Sequence, residues 1–132
     1  MKYIMSKLFL LLCIMIINIG IYANNDKPFV IPEIKHWESY SGDFTITNKT
    51  NIVCNKNDEE LFEVAQLLSS DYEKMFGIKL KVEDKISKGG VISLNIVNNE
   101  NYGNECYCID IHENVVITAN SVRGAIWATR TI

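Results

Sequence analysis

The chain has 132 residues, 48% of them hydrophobic and 22% charged, with 13 Lys and Arg against 16 Asp and Glu for a net charge of −3. That is one domain's worth of chain with apolar material for one core. An acidic balance without a basic stripe excludes the electrostatic footprint of a nucleic-acid binder and offers no attraction to anionic membrane surfaces.

Residues 1–23 carry Lys2 and Lys7, then an unbroken apolar run over 8–17, then a taper through Gly20 to Ala23. A positive start, an apolar middle and a small residue at the exit are the marks of a signal peptide. The apolar stretch over 8–22 is about 15 residues, short of the roughly 20 that a membrane-spanning helix needs. Cleavage after Ala23 leaves 24–132 as the mature domain, exported to the periplasm or the extracellular space, with no membrane attachment. Two of the 13 basic residues and none of the 16 acidic ones leave with the signal, so the net charge becomes −5.

Cys54, Cys106 and Cys108 remain, an odd number for an exported chain. Cys106 and Cys108 sit two apart in a strand-like run, on one face and about 7 Å apart, beyond comfortable disulfide reach. A bridge from Cys54 to either is open. Three thiols with His112 lack the paired spacing of a zinc site, and buried or half-buried strand thiols are the plainer reading.

In chain order, Pro28 and Pro32 bracket an extended Phe29-Val30-Ile31. Trp37 and Tyr40 cover a sheet edge or, alternatively, offer an aromatic platform to a sugar. Ser41-Gly42-Asp43 is a turn, and the alternation Phe44-Thr45-Ile46-Thr47 predicts a strand. Residues 48–51 form a tight connection, and Ile52-Val53-Cys54 is the returning strand. Asn48-Lys49-Thr50 also fits the N-glycosylation acceptor pattern, which matters only in a eukaryotic secretory pathway.

Leu61, Ala65, Leu68, Tyr72 and Met75 make one apolar stripe of a helix over 58–76. Asn57 is its cap, with Glu60 completing a capping box, and Gly77 its left-handed stop. Asp58, Glu59 and Glu60 suit the positive end of the helix dipole, so they need no catalytic explanation. Strands follow at 78–82, 91–96, 106–111 and 115–119. Gly89-Gly90 is a turn and lacks the remainder of a phosphate-binding loop. Asn120 and Ser121 open a second helix with Val122, Ala125, Ile126 and Thr129 on one side, and Trp127 and Ile132 off that stripe, facing a partner. The helix reaches Ile132 without glycine, proline or a cationic last turn, and reads as cut within the element. The sum is an α+β fold, a mostly antiparallel or mixed sheet with two helices packed on one face.

The C-terminal third is the most specific part. Glu105, Tyr107, Ile109 and Ile111, then Val115, Ile117 and Ala119, then a helix opening on Gly124 and running to Thr131-Ile132, resemble the end of the N-terminal domain of family 20 glycoside hydrolases. Val30-Ile31-Pro32 and Gly42-Asp43-Phe44 resemble that domain's opening. The likeness covers roughly 30–132, with Ala128 where the family usually has glycine and Arg130 where it usually has glutamine.

The resemblance implies a non-catalytic domain that precedes a catalytic barrel in β-N-acetylhexosaminidases. Those enzymes hydrolyse terminal N-acetylhexosamine residues from glycans, with the substrate's acetamido oxygen as nucleophile. The barrel, the domain's partner, would carry the catalytic acids and the glycan contacts beyond Ile132. No catalytic, cofactor-binding or metal-ligating residue is therefore assigned in this chain, and no cofactor. Two other readings stand beside this one: a stand-alone carbohydrate-binding or interaction module, or the matching domain of another exported glycosidase. The signal reading predicts that protein recovered from a secreting host begins at Asn24; N-terminal sequencing that finds intact Met1 in a membrane fraction contradicts it.

Overall fold

The computed structural model describes residues 26–31, 33–86 and 89–132. The signal expected over 1–23 lies outside them. Among the described residues no helix is long and apolar enough to cross a membrane.

Five strands and two helices follow in the order β1 (Asn51–Val53), α1 (Glu59–Phe76), β2 (Lys81–Glu83), β3 (Val91–Ile96), β4 (Tyr107–Ile111), β5 (Val115–Ala119) and α2 (Val122–Thr129). They form one sheet in the order β2-β1-β3-β5-β4. β1 pairs in parallel with both β2 and β3, β3 pairs in parallel with β5, and only β5 and β4 are antiparallel. The fold is α+β with a mixed sheet. Its hairpin-length connections do not make most pairings antiparallel.

The physical reason is reach. β2 is only three residues long, and residues 84–90 separate it in sequence from β3. At roughly 3.3 Å per residue they stretch to about 23 Å, against about 10 Å for two strand spacings. Only the β4–β5 connection is a true hairpin, with His112 donating its N–H to the Asn114 carbonyl.

Pairing explains the one expected strand that does not form. Residues 44–47 have no ladder partner, and β1, the strand they lead into, has both edges taken by β2 and β3. Instead the chain turns through Thr47 and Thr50. The Thr50 N–H donates to the Thr47 carbonyl at 3.0 Å, and the Thr50 hydroxyl accepts from the Thr47 N–H at 3.0 Å. Phe44 lies against Gly90, where an added Cβ would sit 2.9 Å from the ring.

Register sets the core. Val82, Ile52, Ile92, Val115 and Ile111 form one cross-sheet row; Leu94, Ile117 and Ile109 form the next; Ile96, Ala119 and Tyr107 the third. Rows two residues apart share a face, and this face meets both helices, which also touch each other. Leu61, Val64, Ala65 and Leu68 from α1 and Ala125 and Ala128 from α2 complete one buried cluster. The other face carries Ser93, Asn95, Thr118, Asp110 and Cys108, as a half-solvated sheet requires.

The helix ends correct two expectations. The cap of α1 is Asp58, not Asn57: its extended backbone and its Oδ1, accepting from the Leu61 N–H at 3.0 Å, meet the requirement. Asn57 sits one residue too early, its own N–H bonded to Asn55 Oδ1 at 3.1 Å. Gly77 ends the helix at φ 69°. Ser121 caps α2, accepting from Arg123 and Gly124 N–H groups. Trp127 is half-exposed, but Ile132 packs on the core and does not face outward.

Replacing Ile117, which is fully buried, by alanine is expected to cost about 3 kcal/mol in urea denaturation. Asp58→Ala is expected to cost about 1 kcal/mol and Asn57→Ala to be near neutral; equal losses at both positions would put the cap back at Asn57.

Candidate functional site

The aromatic surface and the thiols are separate features in the structure. His36, Glu38 and Tyr40 point to one side of an extended segment. The Tyr40 hydroxyl donates to Glu38 Oε2 at 2.9 Å, and His36 Nε2 meets Glu38 Oε1 at 3.1 Å. Those contacts hold the Glu38 carboxyl below its ordinary range, and Glu38 in turn raises the Tyr40 phenol. The Tyr40 ring meets His112 edge-on, centroids 4.8 Å apart, so it covers the β4–β5 turn. Trp37, between these residues in sequence, is 39% exposed.

All three described cysteines are free; Cys54 is buried, and Cys106 and Cys108 are exposed. Burial pushes the Cys54 thiol up from its ordinary value. Partial burial first, then Asp110, does the same to Cys108. Among the described residues no group of His, Cys, Asp and Glu is arranged to hold a metal ion. Of the acidic run, Asp58 caps α1 while Glu59 and Glu60 stand exposed in its first turn.

A concavity lies on the rim formed by the carboxyl ends of the parallel strands. After β1 the chain departs through α1 to β2 on one side. After β3 it departs to the far edge strand β4 on the other. Where neighbouring parallel strands send their chains apart, a crevice opens at their carboxyl ends. Here it is a depression of about 520 Å³ between the end of β1, the start of α1 and the end of β3. A second depression of about 430 Å³ adjoins it, sharing Asp58 and Ile96, and extends to Ser121 and Arg123 at the start of α2.

Asparagines recur along both: Asn55, Asn57 and Asn95 in the first, Asn98 and Asn104 in the second. The Asn95 amide donates to the Ile117 carbonyl at 3.4 Å, and Asn55 Oδ1 accepts from the Asn57 N–H at 3.1 Å. Asn98 holds a left-handed backbone at φ 45°, a conformation asparagine tolerates better than most residues. Gly124 lets α2 close against the preceding loop, because a Cβ there would meet the Cys106 carbonyl at 2.7 Å. The site was missed in the sequence because its amides come from separate loops without periodicity. The abundance of asparagine in 95–104 was the one signal that pointed there.

This is a small α+β domain whose surface features are a polar groove and exposed aromatics. Residues 27–132 match the model of glycosyl hydrolase family 20, domain 2. The chain belongs to that family, as its non-catalytic N-terminal domain. No curated protein matches it.

Thiol chemistry checks the placement of the cysteines. With a small alkylating reagent, Cys106 is expected to label first, Cys108 more slowly and Cys54 only on unfolding. Because its folded-state pKa is raised, burial of neutral Cys54 favours folding fully below the ordinary thiol pKa of about 8.5, and that contribution fades as pH rises through the folded value. Prompt labelling of Cys54 in the folded chain would contradict this burial.

Proposed function

We propose that this domain is the N-terminal, non-catalytic part of an exported β-N-acetylhexosaminidase and serves as the packing partner of a catalytic barrel. The barrel removes terminal N-acetylhexosamine residues from glycans, and this domain contributes no reacting group. The family match over residues 27–132 carries the reading.

Surface chemistry supports a neighbour. Both helices lie on one side of the sheet and touch each other, and Trp127 on α2 and Leu67 on α1 both remain part-exposed, Leu67 at 40%. A large aromatic half in water suits an interface better than a free surface. The glycan then reaches the enzyme through the barrel, and the fragment alone is inert.

The chain by itself is expected to release no chromophore from a chromogenic N-acetylglucosaminide above buffer, and the reading frame downstream of it is expected to encode a barrel. Turnover that survives further purification would overturn the non-catalytic role; a stop codon directly after Ile132 in intact source DNA would overturn the partnership.

A further inference from the structure

We propose that the groove on the carboxyl-end rim of the sheet is a binding site for a neutral oligosaccharide. Four observations carry this beyond the packing role.

The first is position. β1 and β3 are parallel neighbours whose chains leave in opposite directions. The crevice between such strand ends is where open α/β sheets take their ligands. The second is size and shape. Depressions of about 520 and 430 Å³, sharing Asp58 and Ile96, make up the trough. Each falls within the range of small-ligand sites, and together they exceed one sugar ring.

The third is hydrogen-bonding chemistry. An asparagine amide supplies two donors and an acceptor on one short, uncharged side chain. Asn57, Asn98 and Asn104 place that capacity along the trough, matching a ligand dense in hydroxyl or acetamido groups. Ile96, part-buried at the end of β3, gives it apolar surface for the C–H face of a ring.

The fourth is charge. The trough holds Asp58, Glu60 and Asp84 against Lys56 and Arg123. Arg123 is engaged by Glu105 at 3.7 Å, and Lys56 stands over the Phe62 ring, 5.9 Å from its centroid. With acids in excess and both cations occupied, a phosphate, sulfate or nucleic-acid ligand is opposed.

The site does not depend on the hexosaminidase reading. Binding is measured without hydrolysis, and a chain with no barrel beside it still presents the groove.

The test is a titration of the isotopically labelled full chain, followed by amide NMR, with the trimer of β-1,4-linked N-acetylglucosamine and with a glucose trimer lacking acetamido groups. Millimolar affinity corresponds to about −4 kcal/mol, so sugar up to about ten millimolar covers weak binding. The expected result is saturable shifts from at least one trimer, confined to 55–61, 93–98, 104 and 121–123. The double variant Asn57→Ala, Asn98→Gly removes two amides while glycine keeps the positive φ. It should retain the parent's spectral dispersion and bind at least about tenfold more weakly. Absence of saturation with both trimers, shifts centred on Trp37, Tyr40 or His112, the same shifts from inorganic phosphate, or undiminished binding by a folded double variant would each overturn the proposal.

Discussion

Everything in this domain is arranged around a three-residue strand that is paired on both edges. β1 lies between β2 and β3, and Ile52 at its centre is fully buried. Parallel pairing on both sides leaves β1 with no edge for the residues before it, which therefore turn at 47–50 instead of joining the sheet. It also forces the chain after β1 through α1, since a parallel neighbour cannot be reached by a tight hairpin. α1 then covers the row that Ile52 anchors, and its start is placed beside the carboxyl ends of β1 and β3. Core, helix placement and groove all follow from how that short strand is held.

The elements with a strong local period were readable from the residues. β3, β5 and α1 each carry their own pattern, and Gly77 marks a backbone that side-chain-bearing residues avoid. Strand neighbours were not readable. A period of two assigns faces, not partners, so Phe44-Thr45-Ile46-Thr47 reads as a strand although it pairs with none. Asn57 and Asp58 are both good caps by composition, and only the extended backbone at Asp58 decides between them. Ile132 lies off the helical stripe, but the helix ends before it: Arg130 and Thr131 N–H groups bond back to Trp127 and Ala128. That turn brings Ile132 onto the core. The groove was illegible for the opposite reason, having no period at all.

Departures from the family's usual residues have a physical reading. Ala128 is fully buried in the cluster shared by both helices, so the methyl group it adds relative to glycine is placed in apolar contact within a helix that alanine favours. Arg130 reaches across to Asp71 on α1, a pairing that ties the end of the second helix to the middle of the first. Half-exposed as its side chain is, this ion pair adds little to stability; its consequence is geometric, holding the two helices in register. Tyr107 acts similarly, its hydroxyl bonded to Thr131 Oγ1 at 2.8 Å, joining the edge strand to the turn after α2.

α2 consequently belongs to two surfaces at once. Its first turn, with Ser121 and Arg123, closes one end of the groove, while Trp127 one turn later is half-exposed. A helix of eight residues is marginal by itself and takes its order from what it packs against. The Gly124 approach to the Cys106 carbonyl fixes one end, and the Tyr107 and Arg130 contacts fix the other. A neighbour seated on Trp127 would hold α2 further in place, and with it the far wall of the groove. Under the proposed partnership the barrel would then influence glycan binding at the rim without touching the sugar, by limiting how far that wall moves.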